Sequence, residues 1–272
     1  MNKWILSMIM SCFLLVINTV QAADYQYQRD ILYRPDSTNR YIQEMCRLDV
    51  AYQADAKERP VIVWFHGGGL VSGHREIPEP LQHKDYVIVG VEYRFLPHVP
   101  TEAIIDDAAA AIAWVFDHIQ QYGGDPQQIY ISGHSAGGYL VSMVGLDKQW
   151  LNRYGKDADL LAGIIPYSGQ AITHYETRKM QGYSPLQPTI DALAPLYHVR
   201  KNCAPMLIIS GDREMELYGR YEEQAYFWRM LKLTGHPDVT LYELDGYDHG
   251  GMCWPGLPLL LKFIEQHTQK NR

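Results

Sequence analysis

The sequence predicts an α/β domain built on a mostly parallel sheet with helices on both faces. β-rich apolar runs alternate with helical patterns over most of the chain, and this alternation is typical of parallel sheets. The 272-residue chain has 250 residues beyond position 22, a comfortable length for one α/β core. We therefore expect a single domain over 23–272.

Apolar runs rich in Val, Ile and aromatic residues predict the strands of the sheet. Six such runs cover 60–67, 86–94, 128–134, 160–168, 205–211 and 239–246. Two earlier segments, 30–33 and 46–52, predict an antiparallel edge.

Helical patterns with recognisable ends lie between these strands. One spans 102–122, after Thr101 as a candidate N-cap, and others span 220–233 and 257–266. The segment 171–200 breaks the alternation with three prolines and has no clean period. It predicts a small insertion over the sheet's loops, where substrate pockets form in this architecture.

The N-terminus carries the pattern of a secretory signal peptide over residues 1–22. Lys3 precedes an apolar run over 4–20, and small residues lead to a predicted cleavage site after Ala22. A retained membrane anchor is the alternative, because the run is close to the length that spans a bilayer. We expect an exported protein, periplasmic or secreted, with no membrane span in the mature chain.

Charge and cysteine content exclude several kinds of partner. The formal net charge is −7 and no Lys/Arg cluster interrupts it, so we predict a small neutral substrate and no nucleic acid. Cys46, Cys203 and Cys253 follow the leader, without metal-ligand spacing, so no metal is predicted. At most one disulfide could join two of them; the pairing and the oligomeric state stay open.

Ser135 is the first candidate catalytic residue. It lies in GHSAGG, between a predicted strand and the predicted helix YLVSMVGL. A serine at such a turn is held with its hydroxyl exposed at a helix N-terminus, as serine nucleophiles require. The alternative is an ordinary Gly/Ser turn.

A second motif, HGGG at His66 to Gly69, also directly follows a predicted strand. Acyl transfer by a serine passes through an oxyanion, which backbone N–H groups stabilise, and successive glycines let a backbone approach closely. Because both motifs follow strands of one parallel sheet, we expect both loops at the same sheet edge.

The serine needs a general base, and His249 in DGYDHGGM is the histidine that fits best. It follows the last predicted strand, as the chain order serine, acid, histidine requires. The acid should follow the strand that ends at Gly211, where GDREME offers Asp212, Glu214 and Glu216.

Several motifs in order resemble the HGGG-type carboxylesterases of the α/β-hydrolase superfamily. They are HGGG, VEYRFLP, DDAAAAIAWV, GGDP, GHSAGG, APLYH and DGYDHGG. The branch includes hormone-sensitive-lipase-like enzymes, feruloyl and acetylxylan esterase relatives, and kynurenine-formamidase-like hydrolases. The resemblance implies an eight-stranded sheet, a Ser-acid-His triad and no cofactor. It also implies an oxyanion hole formed by the backbone N–H groups of Gly68, Gly69 and Ala136.

Two positions depart from the pattern of these families. His134 stands where the hormone-sensitive-lipase-like branch usually has an acid. This difference favours a resemblance to the feruloyl esterases and the formamidases. The superfamily commonly has Gly-x-x-Asp after the seventh strand, and this register places Glu214 at the acid's position. We therefore predict Glu214 as the acid, with Asp212 as the alternative by residue type.

These residues together predict an exported serine carboxylesterase that cleaves short-chain or aryl esters through an acyl-enzyme. An amide-cleaving relative, such as a formamidase or small peptidase, shares the same machinery and is the nearest alternative. The second alternative is a catalytically inactive hydrolase fold used for binding.

Overall fold

The computed structural model describes residues 25–270, with side chains to residue 268. The predicted signal peptide over 1–22 lies outside the described residues. Within the described residues, no helix combines the length and the apolar character needed to cross a membrane.

The described chain forms one eight-stranded sheet in the order β1-β2-β4-β3-β5-β6-β7-β8. Its strands are β1 (Tyr25–Leu32), β2 (Arg47–Gln53), β3 (Arg59–Phe65), β4 (Val87–Val91), β5 (Gly124–His134), β6 (Gly163–Tyr167), β7 (Met206–Gly211) and β8 (Val239–Leu244). Strand β2 pairs antiparallel with β1 and β4, and every other pair is parallel. The predicted mostly parallel sheet with an antiparallel edge is confirmed.

Helices cover both faces of this sheet. They are α1 (Arg40–Met45), α2 (Thr101–His118), α3 (Ala136–Leu146), α4 (Gln149–Asn152), α5 (Tyr175–Met180), α6 (Arg220–Leu233) and α7 (Cys253–Lys270). The predicted insertion over 171–200 contains the six-residue α5 and a 3₁₀ turn, Pro195–His198.

Successive side chains of each strand point to opposite faces of the sheet, and this divides the core into two layers. In β3, Val61, Val63 and Phe65 pack into the cluster that contains the apolar sides of α2, α3 and α6. Ile62 and Trp64 point the other way, into the cluster beneath α7. Because successive side chains of a strand face opposite sides, a continuous apolar run is what a sheet buried on both faces requires.

The sheet's topology brings the sequence motifs to one edge. Strands β3, β5, β6, β7 and β8 are parallel, so their carboxyl ends lie together. HGGG follows β3, Ser135 follows β5, the GDREME loop follows β7 and His249 follows β8. Cys46, Cys203 and Cys253 are free thiols.

Candidate active site

Ser135 occupies a strained turn between β5 and α3. Its backbone has φ 55° and ψ −113°, a conformation that side-chain-bearing residues rarely adopt. The turn passes so close to β3 that only glycine fits beside it. A Cβ on Gly133 would lie 2.5 Å from the carbonyl oxygen of Phe65, and one on Gly137 would lie 2.0 Å from that oxygen. The glycines of GHSAGG therefore allow the close approach that presents the serine hydroxyl above the sheet.

A continuous hydrogen-bonded chain links Ser135, His249 and Glu216. Ser135 Oγ lies 2.9 Å from His249 Nε2. His249 Nδ1 lies 2.8 Å from Glu216 Oε2. The Glu216 side chain is 1% exposed and that of His249 is 16% exposed, so the chain of hydrogen bonds leads from a buried carboxylate to a partly exposed imidazole. This arrangement is the one in which a hydroxyl can pass its proton to an imidazole.

The prediction that Glu214, or alternatively Asp212, contacts the histidine is wrong. Glu214 is exposed, and the Asp212 carboxylate accepts hydrogen bonds from the backbone of Gly246 at 2.7 Å and of Glu214 at 2.9 Å. The physical reason is a single helical turn after β7, in which the N–H of Glu216 donates to the carbonyl of Asp212 at 2.9 Å. This turn carries the side chain at position 216 back over Gly211 and toward the histidine.

Glu216 is held by several donors besides His249. Its Oε1 accepts from the Ser168 hydroxyl at 2.6 Å and from the Gly211 N–H at 3.0 Å, and its Oε2 accepts from the Leu217 N–H at 3.1 Å. Burial alone would raise the pKa of Glu216. The hydrogen bonds from His249 and Ser168 outweigh burial and lower this pKa to about 2. Glu216 is therefore an ionised acceptor at neutral pH.

His134 supports the loop that carries His249. Its Nε2 lies 2.7 Å from the backbone oxygen of His249, so the ring donates to that carbonyl. Burial, and then the neighbouring His249, lower the pKa of His134 to about 4. At neutral pH His134 is uncharged and contributes a fixed donor without adding a second positive charge beside the base.

The HGGG loop lies against the nucleophile. A Cβ on Gly67 would be 3.5 Å from the Cβ of Ser135. Gly68 and Gly69 have φ of 109° and 67°, so the loop needs glycine conformations. Within residues 25–270, no protein acceptor binds the N–H groups of Gly68, Gly69 or Ala136.

Buried polar contacts fix the start of this loop. His66 Nε2 lies 2.9 Å from Glu92 Oε1, and the Tyr93 hydroxyl donates to the His66 carbonyl at 2.7 Å. The rings of His66 and Tyr93 stack at 4.3 Å between centroids. His66 therefore belongs to the scaffold of the HGGG loop.

Three residues of the site were not assigned a role from the sequence patterns. Glu216 was among the three carboxylates of GDREME, but spacing favoured Glu214. Ser168, directly after β6, has no sequence motif around it. Tyr175, the first residue of α5, places its hydroxyl 2.6 Å from where a Cβ of Gly69 would stand. Only tertiary packing brings Ser168 and Tyr175 to the site.

The described residues contain no group of three or more His, Cys, Asp or Glu side chains arranged to hold a metal ion.

Comparison with known proteins agrees with the fold. A family model described as BD-FAE matches residues 48–159, a segment that contains both HGGG and Ser135. Esterase LipC of Mycobacterium tuberculosis is 29% identical over 252 residues, which cover 83% of this chain and 60% of LipC. Esterase LipI of the same organism is 40% identical over 95 residues, 33% of this chain and 30% of LipI. The chain thus spans 60% or less of the length of these relatives.

A truncated carbohydrate esterase from gut microbiota superposes with a TM-score of 0.74 at 18% identity, covering 91% of this chain and 98% of that chain. The eight-stranded sheet with a serine on the turn after β5 defines the fold as that of an α/β-hydrolase. In sequence the chain is similar to esterases, and it resembles the HGGG-type carboxylesterases of this fold.

Proposed function

We propose that this protein is a serine carboxylesterase that hydrolyses small carboxylic esters through an acyl-enzyme intermediate. The observation that carries the proposal is the unbroken chain from Ser135 Oγ through His249 to Glu216. Relatives named esterases, including LipC and LipI, support the choice of reaction class.

The contacts support the following first half-reaction. Ser135 Oγ attacks the ester carbonyl carbon while His249 Nε2 takes the hydroxyl proton. The carbonyl oxygen becomes an oxyanion, and the N–H groups of Gly68, Gly69 and Ala136 are the donors proposed to bind it. When the tetrahedral intermediate collapses, His249 returns the proton to the leaving alkoxide, and the acyl group stays on Ser135.

Water completes the cycle by the same route. His249 removes a proton from a water molecule as it attacks the acyl carbon, and then returns the proton to Ser135 Oγ. In both half-reactions Glu216 fixes the Nδ1–H tautomer and stabilises the imidazolium that forms. Its low pKa keeps it ionised throughout.

Short acyl groups are the proposed substrates. The segment 171–200 contributes the six-residue α5 and short turns above the site, with no long amphipathic lid helix among the described residues. The Tyr175 hydroxyl also occupies space beside Gly69. The segment therefore supplies no long apolar groove for an extended acyl chain, and Tyr175 reduces the space beside the HGGG loop.

Export with cleavage after Ala22 is part of the proposal, supported by the apolar run over 4–20 and the small residues after it. N-terminal sequencing of the protein recovered from the periplasm or medium tests it. A chain retained in the membrane that still begins at Met1 would contradict it.

The activity is tested on the purified protein with acetyl, butyryl, octanoyl, dodecanoyl, feruloyl and N-formyl substrates. Hydrolysis of acetyl and butyryl esters faster than dodecanoyl esters is expected. Preferential cleavage of the N-formyl amide would contradict the esterase proposal and indicate an amidase. Absence of fluorophosphonate labelling at Ser135, with no turnover of any substrate, would indicate an inactive hydrolase fold.

A further inference from the structure

Ser168 follows β6 in a conformation that costs energy to hold. It is fully buried, and its φ of 45° lies in the left-handed region that favours glycine. The preceding residue, Tyr167, accepts a hydrogen bond from the N–H of Ser135 at 2.8 Å. The strained turn therefore lies directly beside the nucleophile.

The hydroxyl of Ser168 contacts both partners of the proton-transfer chain. It donates to Glu216 Oε1 at 2.6 Å, and it lies 2.8 Å from His249 Nδ1. Since its one proton goes to the carboxylate, the Ser168 oxygen accepts from the Nδ1–H of His249. His249 Nδ1 is also 2.8 Å from Glu216 Oε2, so the three side chains close a ring of hydrogen bonds.

Buried groups from two neighbouring elements hold the Ser168 turn in place. The N–H of Ser168 donates to the Ile209 carbonyl of β7 at 2.7 Å. The guanidinium of Arg220, which is 1% exposed, donates to the Ser168 carbonyl. Gln224 donates to the next carbonyl, that of Gly169, at 3.1 Å. Strain that is secured by several buried hydrogen bonds is typical of functional positions.

We propose that Ser168 is a positioning residue for the reaction, whose hydroxyl fixes the ring of His249 and the carboxylate of Glu216. The inference rests on the proposed esterase function and adds a fourth side chain to it. Two acceptors on the Nδ1 side restrict rotation of the imidazole and keep its proton on Nδ1. The lone pair of Nε2 then faces Ser135 Oγ at 2.9 Å.

Two variants separate the hydroxyl from the backbone strain. Ser168→Gly removes the hydroxyl and tolerates positive φ, whereas Ser168→Ala removes the hydroxyl and retains the strain. If the hydroxyl positions the triad, both variants lose kcat by about 10- to 100-fold with KM nearly unchanged, the range expected for one hydrogen bond to a charged group. Ser168→Gly should retain the higher Tm.

Ser210→Ala is the matched control, because the Ser210 hydroxyl is buried in β7 and has no hydrogen-bond partner within residues 25–270. Its kcat should equal that of the natural protein. Full activity in Ser168→Gly at an unchanged Tm would overturn the inference, since the Ser168 hydroxyl would then contribute nothing to the reaction.

The labelling rate of Ser135 by a fluorophosphonate distinguishes this inference from the proposed function. If the natural protein is not labelled, the serine hydrolase proposal itself fails. If it is labelled and Ser168→Gly is labelled at the same rate, only the positioning role fails. The expected result is labelling of the natural protein and of Ser210→Ala, with at least tenfold slower labelling of Ser168→Gly.

Discussion

The carboxylate of Glu216 lies 2.8 Å from Nδ1 of His249, although the two residues are 33 positions apart. The contact depends on one helical turn after β7, which brings Glu216 back over Gly211. In the proposed reaction, a buried, ionised carboxylate at this point stabilises the imidazolium that forms when Ser135 passes its proton to His249.

Glu216→Gln should lower kcat by about 10⁴, the order expected when the histidine loses its orienting carboxylate. The amide can present its NH₂ group to Nδ1, which favours the wrong tautomer. Steady-state kinetics on an acetyl ester, with Tm measured in parallel, check this loss.

Glu214→Gln is the control in the same loop, because Glu214 is exposed and makes no side-chain contact with His249 among the described residues. Its kcat should stay within about twofold. A large loss in Glu214→Gln beside an active Glu216→Gln would mean that the loop adopts another register during catalysis.

Ser135→Ala should lower kcat by roughly 10⁶ while the protein stays folded, as expected when a triad nucleophile is removed. The hydroxyl is the only group of Ser135 placed against His249 Nε2, and alanine fits the same space. Circular dichroism tests folding. Residual activity above one tenth of the original would exclude the serine mechanism.

Gly137→Ala should destabilise the fold by about 3 kcal/mol, at the upper end of overpacking costs. The added Cβ would meet the carbonyl oxygen of Phe65 at 2.0 Å, and a central strand cannot move away. Thermal unfolding measures the effect.

Gly145→Ala in the same helix provides the comparison. The three atoms nearest to its Cβ would be side-chain atoms of Ile164, the first at 2.4 Å, and a side chain can shift more easily than a strand's backbone. We expect a smaller loss, partly offset by the higher helix propensity of alanine. Equal losses in the two variants would show that contact with the backbone is not the cause.

The sequence predicted the parts of this structure that depend on local pattern. Continuous apolar runs located the strands because a doubly covered sheet buries both faces of each strand. Glycines identified the turn after β5 because a Cβ on Gly133 or Gly137 would collide with the Phe65 carbonyl. They identified the turn after β3 because Gly68 and Gly69 have positive φ. Ser135 and His249 were found by motif and chain order, and the structure brings them together.

The residues that were missed depend on geometry that spacing does not encode. Counting from Gly211 favoured Glu214, but the helical turn after Asp212 makes position 216 the one that faces His249. Tyr175 reaches Gly69 only through the path of the insertion. Neither the helical turn after Asp212 nor the path of the insertion produces a periodic pattern in the sequence.

Tyr175→Ala should shift the substrate preference toward longer acyl chains, because it removes the ring and hydroxyl that stand beside Gly69. We expect the ratio of kcat/KM for octanoyl over acetyl esters to rise about tenfold, the scale of a few methylene groups in an apolar pocket. Tyr183→Ala is the control, since this side chain is 45% exposed on the same insertion. An unchanged ratio in Tyr175→Ala would place the acyl group elsewhere.

His134 should make the protein less stable as the pH falls below neutrality. Its pKa is about 4 in the folded protein, lowered by burial and by His249, against an ordinary value of 6.5. Between these two values the unfolded chain binds a proton that the folded chain does not, so stability is full above pH 6.5 and falls as pH approaches 4. The loss by pH 5 is about 2 kcal/mol.

His134→Gln retains a donor for the His249 carbonyl but cannot titrate. Urea unfolding of both proteins from pH 8 to pH 4 should therefore show a stability difference that changes in favour of His134→Gln below pH 6.5. If the free energies of unfolding of the two proteins change in parallel over this pH range, His134 is not held neutral in the folded protein.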